Sequence, residues 1–343
     1  MNRRWVLSSA AAITAAIGAV ALRWRMPGAD QPVTIKFSHV VARDTPKGKA
    51  ADYFKRIVEQ RSGGRVQVLV YPNSELYRDQ EELEALQLGS VQMVAPSLAK
   101  LAPLGIQEFE LFDLPFLFDS YAALRKVTNG PVGRQMLERL GNAGMLGLAF
   151  WDNGFKLMSA NRPLLAPDDF RGLHMRIQAS AVLDAQMRAL GAIPDATAVS
   201  DMYPALASGV ADGTENPASN FYTQKIYQVQ RYLTLSNHGY LGYVVMVNKT
   251  FWASLPGHVR TLLEDCMREA THYEQDIAKS ENDAALEQIR ATGQTQILEL
   301  TPEQRAQWKA ALAGVRTGFQ KRQGALLLQE VEQAVNGPTV AGY

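Results

Sequence analysis

The chain has 343 residues, 47% of them apolar and 20% charged, with a formal net charge of +1. Such a composition is that of a globular protein long enough for two domains, and the near-neutral balance excludes a global field for nucleic acid or an acidic membrane surface. The single cysteine, Cys266, excludes an internal disulfide and any CxxC metal or redox site.

The chain opens on "MNRRWVLSSAAAITAAIGAVAL", with Arg3 and Arg4 before an uncharged run that ends in Ala19-Val20-Ala21. That is the layout of a secretory signal peptide with an A-x-A cleavage site. Arg23-Trp24-Arg25 disfavours export just after the run, so an uncleaved membrane anchor is the alternative. Either puts the folded part outside the cytoplasmic membrane, and residues 1–30 are set apart from the fold. "VTIKFSH" alternates as a strand, and "TPKGKAADYFKRIVEQRSGG" follows as a helix with Thr45 as its cap and Pro46 in its first turn. "RVQVLVYP", the acid-led helix "RDQEELEALQLGS" and the strand "VQMVAPS" complete a β-α-β-α-β series, which implies parallel strands with helices on both faces. "FELFDLPFLFDSYAAL" reads as an apolar connector packed under the sheet. "MLGLAFW", "FKLMSA", "LHMRIQ", "YLTLSN" and "LGYVVMVNK" read as five further strands, with "SAVLDAQMRALG" and "SDMYPALASG" as short helices among them. A helical pattern over 257–291 would run about 50 Å, longer than one small domain is wide, and so is expected to span two. The strand "TQILEL" and a helix with Thr301, Pro302 and Gln304 as a capping box close the chain. The expected fold class is α/β and two-lobed, with the long helix crossing both lobes.

No G-x-S-x-G, H-E-x-x-H, P-loop or G-x-G-x-x-G occurs, and no pair among the five histidines has metal-ligand spacing on a helix. A two-lobed exported α/β chain without a catalytic signature points to ligand binding. Three stretches carry polar groups where a core would not want them. "WDNGFKLMSANRP" puts Lys156 in a strand, either exposed or in a site. "GLHMRIQAS" puts Arg176 in another, as a rim residue, a structural ion pair or an anion anchor, while Met175 and Ile177 pack the strand. "TENPASN" puts Asn216 before Pro217, where it suits the cap of the next helix.

The stretches "KFSHVVARDTPKGKAADYFK", "VYPNSELYRDQEELEALQLGSVQMVAPSLAK", "FDLPFLFD", "GLHMRIQASAVLDAQMRALGA", "VADGTENPASNFYTQKIYQVQRY" and "NHGYLGYVVMVNKTFW" carry a resemblance. Through them the chain resembles the solute-binding proteins of tripartite ATP-independent periplasmic (TRAP) transporters, in their C4-dicarboxylate branch. The resemblance implies a periplasmic-binding-protein-like fold with a ligand cleft between the two lobes, in a periplasmic protein that captures a small carboxylic acid and hands it to a membrane permease; no catalysis, cofactor, metal or nucleic acid is expected. It implies that Arg176 makes a two-pronged contact with the ligand carboxylate and that Asn216 also reaches the ligand. The family commonly has a second arginine after the "NG-x" turn; Lys156 stands there, which keeps the charge and loses the planar fork. For a second carboxylate, Lys156, His39, Lys47 and Ser97 are the expected partners, Ser97 lying at a strand end where α/β sheets place ligands. The expected first lobe is 33–153 with about 241–275, and the second 154–240 with about 276–335. The rivals are a binding protein of the same family for a monocarboxylate, sugar acid or keto acid, a secreted enzyme using Lys156 as Schiff-base or general-base residue, and a membrane-tethered sensor lobe.

Overall fold

The structure, a computed structural model, describes residues 32–79 and 81–337. The expected leader or anchor at 1–30 lies outside the described residues. Among them no helix is long and apolar enough to cross a membrane.

The described strands are β1 (Val33–Ser38), β2 (Val66–Tyr71), β3 (Met93–Val94), β4 (Met145–Ala160), β5 (His174–Ile177), β6 (Ile193–Ala196), β7 (Gly213–Asn216), β8 (Tyr232–Asn248) and β9 (Gln296–Glu299). They form one sheet in the order β2-β1-β3-β8-β4-β7-β5-β6, with β9 beside β8. The β2-β1-β3 end is parallel, as the βαβ alternation requires, and carries the first lobe. Its helix Pro46–Arg61 is capped by the Thr45 hydroxyl and buries Ala50, Ala51, Phe54, Ile57 and Val58. The β7-β5-β6 end, also parallel, carries the second lobe.

Between the ends run β4 and β8, antiparallel strands of 16 and 17 residues. Each joins two stretches that the sequence separates. "NG" at 153–154 reads as a turn, yet the strand continues through it with a register shift between Asp152 and Gly154. A Cβ on Gly154 would lie 2.9 Å from the Asn282 side chain, so the glycine lets the long helix approach the strand. In β8 the break is a bulge. Lys156 faces Gly239 while Met158 faces Thr234, so residues 235–238 stand opposite Leu157 alone, with Asn237 at φ +41°. Of "VQMVAPS", only Met93–Val94 enters the ladder, and Ser97 adds a lone bridge to Tyr243.

The helix Gly257–Thr292 packs on Pro46–Arg61 in one lobe, on β4 at the crossing, and on Ala218–Thr223 in the other. Cys266 is buried on it. The capping box at Thr301 forms, with the Gln304 side chain returning to the Thr301 N–H. The largest apolar cluster takes Leu83, Phe112 and Met136 from the first half and Met175, Leu183 and Trp308 from the second. The lobes therefore share packed core where the long strands cross.

Candidate functional site

Side chains of a strand alternate between faces, and register partners share a face. Arg176 is paired with Thr214, and Asn216 lies two residues further along β7 opposite Leu157. Arg176, Thr214 and Asn216 therefore share one face. Met175 and Glu215 share the other, with Met158 of β4.

Arg176 is only 2% exposed. Its Nε and Nη2 donate to the Thr197 carbonyl at 2.8 and 2.6 Å. The side-on edge of the guanidinium is thus occupied, and among the described residues Nη1 has no protein acceptor. The outer edge carries Nη1, and Arg176 lines a cavity of about 470 Å³ together with Lys100, Asp79, Gln178, Pro103 and Leu104. Burial pushes Arg176 down to about 10, so it remains charged at neutral pH. Lys100 forms a buried ion pair with Asp79 and lies 3.8 Å from Glu82. Burial, with Lys47 and Arg176 nearby, holds its ammonium well below the usual lysine range.

Lys47 is fully buried; its Nζ donates to the Ala95 carbonyl at 2.8 Å and sits 3.7 Å from the centre of the Tyr243 ring. Burial lowers it to about 7 and raises Glu82 to about 8. His39 and Ser38, at the C-terminal end of β1, are buried, and among the described residues neither His39 ring nitrogen nor the Ser38 hydroxyl has a hydrogen-bond partner. Burial and the Lys47 charge keep His39 neutral, well below its usual value. Ser97 accepts a 2.9 Å hydrogen bond from Gln178, which joins the lobes across the cleft. From Tyr243 the polar band continues through Asn153, which donates to the phenol oxygen at 2.6 Å, to Ser219 at 2.8 Å. Asn220 donates to Asn216 at 3.4 Å beside it. Arg176, Gln178 and Ser97 thus meet between the lobes, whereas Lys47 and His39 are buried in the first lobe and Asn216 in the second, and the cavity beside Arg176 is not lined by Ser97, Lys47, His39 or Asn216.

Two expectations are corrected. Asn216 does not cap the following helix. It ends β7, and its amide nitrogen lies 3.3 Å from the Met202 sulfur, while Asn282 of the long helix accepts the Ser219 N–H. Lys156 faces away from Arg176. It is 1% exposed, 2.6 Å from Glu215 and 3.3 Å from Asp113. Burial would lower its ammonium, but these two carboxylates outweigh it and hold it above the usual lysine range. Burial would likewise raise Glu215; Lys156 and His238 instead hold it at about 2. An ionised Glu215 accepts from His238 Nε2 at 2.9 Å and from Gln186 at 3.2 Å, and His238 Nδ1 then accepts from Ser236. A protonated, doubly paired ammonium is neither an anion anchor nor a Schiff-base nucleophile.

Sequence reasoning missed Lys100, Asp79 and Gln178 as site residues. Gln178 was open to discovery, since it lies two residues beyond Arg176. Among the described residues no group of three His, Cys, Asp or Glu side chains is arranged to hold a metal ion.

The profile of DctP, bacterial extracellular solute-binding protein, family 7, matches residues 37–323. Over 322 residues the chain is 56% identical to the C4-dicarboxylate-binding periplasmic protein DctP of Rhodobacter capsulatus, covering 93% of this chain and 97% of that one. A TRAP periplasmic solute-binding protein from Sulfurospirillum deleyianum with bound succinate superposes with a TM-score of 0.86 at 43% identity, over 89% of this chain and 99% of that one. One from Pseudomonas aeruginosa with bound L-malate gives 0.82 at 42%, over 84% and 100%.

Proposed function

Because the chain belongs to the DctP family of bacterial extracellular solute-binding proteins, we propose that it captures a C4-dicarboxylate of the succinate, malate and fumarate class in the periplasm and delivers it to a TRAP permease. It is a binding protein of a transport system and not an enzyme. The observation that carries the ligand class is Arg176, held by Thr197 through Nε and Nη2 and lining a cavity between the lobes. Two parallel N–H donors match two carboxylate oxygens. A second carboxylate finds its cation in Lys47 or Lys100, with Ser97, His39 and Gln178 as neutral partners and Asn216 closing the band. Lys156 serves as a strut behind the site. The lobes divide near 153/154 in β4 and 240/241 in β8, at the register shift, with about 241–275 returning to the first and about 276–335 to the second.

The experiment is a thermal-shift screen of the protein against succinate, L-malate, fumarate, a monocarboxylate, a keto acid and a sugar acid, followed by calorimetric titration. A ligand that binds only the folded state raises the melting temperature with concentration. The C4 dianions are expected to give the largest shifts. A sugar acid or monocarboxylate that outranks all three would replace the ligand class and keep the family.

Binding is expected to take up protons near neutral pH. Unliganded Lys47 sits at about 7, and a bound carboxylate raises it. Affinity is therefore greatest below pH 7 and falls as pH rises through that value. Titration with succinate at pH 7 in phosphate and in Tris should give enthalpies that differ with buffer ionisation heat; equal enthalpies would contradict a titrating Lys47.

A further inference from the structure

Asp79 stands between β2 and the helix Glu81–Gln87, in the first lobe. Val199 opens the helix Val199–Ser208, directly after β6 in the second. β2 and β6 are the two outermost strands along the sheet, yet Asp79 Oδ2 accepts the Val199 N–H at 2.6 Å. The other Asp79 oxygen is paired with Lys100, and Arg78 lies 3.6 Å from Asp201 alongside. The helix Val199–Ser208 has Ala198 at its cap position and no side-chain cap of its own. Asp79 is therefore its acceptor, supplied from across the cleft, and its negative charge suits the positive end of the helix. Two residues before Val199 is Thr197, whose carbonyl holds Arg176. Asp79, Lys100, Arg176, Thr197 and Ala198 line one cavity.

We infer that Asp79 is a positioning residue that latches the closed lobes, pinning residues 197–199 so that the Thr197 carbonyl holds the Arg176 guanidinium against the bound carboxylate. The inference rests on the carboxylate-binding role proposed for Arg176. Asp79 touches the ligand's anchor through Thr197 and not the ligand. Its contact joins the lobes, so it forms after capture and slows escape without speeding arrival.

The test is the association and dissociation rates of radiolabelled succinate for three single variants and one double. Asp79→Asn keeps the shape and removes the charge. Val199→Pro removes the donated N–H together with the valine side chain, at a first helical position that tolerates proline, after Ala198 at φ −59° and ψ 155°. Val199→Ala keeps the N–H and controls for the side chain. Asp79→Asn and Val199→Pro are each expected to raise the dissociation rate about 10-fold or more, with association within about twofold, as expected for loss of a charged cap contact. The double variant should be no worse than the worse single, and Val199→Ala should resemble wild type. Val199→Pro leaves Lys100 paired, so it answers even if Asp79→Asn fails to fold. Unchanged dissociation in Val199→Pro, or fully additive losses, overturns the latch while wild-type binding leaves the carboxylate site standing. Wild-type protein that binds no succinate overturns both.

Discussion

Arg176→Lys is expected to weaken dicarboxylate binding by about 2–4 kcal/mol, roughly 30- to 1,000-fold, with little change in melting temperature. Lysine keeps the charge, so a site that needs only positive potential would lose little. The geometry demands more. One edge of the guanidinium is spent on the Thr197 carbonyl, and the other must still offer donors to the ligand. An ammonium cannot hold a fixed carbonyl and present a planar fork at once. The Thr197 carbonyl would then compete with the ligand for the same three donors. Calorimetric titration with the strongest acid of the screen, beside melting curves, separates affinity from stability. Wild-type affinity in Arg176→Lys would mean that the arginine only braces Thr197.

Lys156→Met is expected to destabilise the protein by about 3–5 kcal/mol at neutral pH, because it leaves Glu215 and Asp113 buried without their cation. The pH dependence identifies the cause. Glu215, held at about 2 against a usual 4.5, adds stability that is full above 4.5 and is lost as pH falls toward 2. Asp113, raised by burial to about 6 from a usual 3.8, acts oppositely: its contribution is full below 3.8 and is lost as pH rises through 6. Without Lys156 both carboxyls take up protons more readily, so the stability gap between variant and wild type should shrink between pH 7 and pH 4. Urea unfolding at the two pH values measures it. A gap that stays constant would assign the loss to packing alone. Succinate affinity measured where the variant is still folded should stay near wild type, since Lys156 faces away from Arg176.

The parallel end of the sheet was legible because each of its helices lies between the strands it joins, so local periodicity and topology coincide. The long helix and the Thr301 box were legible for the same reason. The two crossing strands were not. Gly154 carries a turn signal, but the glycine is required by Asn282 of a helix more than a hundred residues away. Asn237 likewise marks a bulge within β8 and not its end. In the site, a charge inside a short apolar strand singled out both Arg176 and Lys156. Alternation within one strand cannot say which face looks into a cleft; that is fixed by partners such as Thr214 for Arg176 and Glu215 for Lys156. Asp79 and Lys100 lie outside any alternating strand, so no pattern marks them, and only the approach of the sheet's two ends gives them a role.

The most direct measurement is a crystal structure of the protein grown with succinate at saturating concentration. One carboxylate should lie on the outer edge of Arg176, within hydrogen-bond distance of Nη1, with Thr197 still bound to Nε and the second carboxylate toward Lys47 or Lys100. Succinate held by Lys156 on the opposite face of the sheet, or a cleft without succinate, would contradict the account.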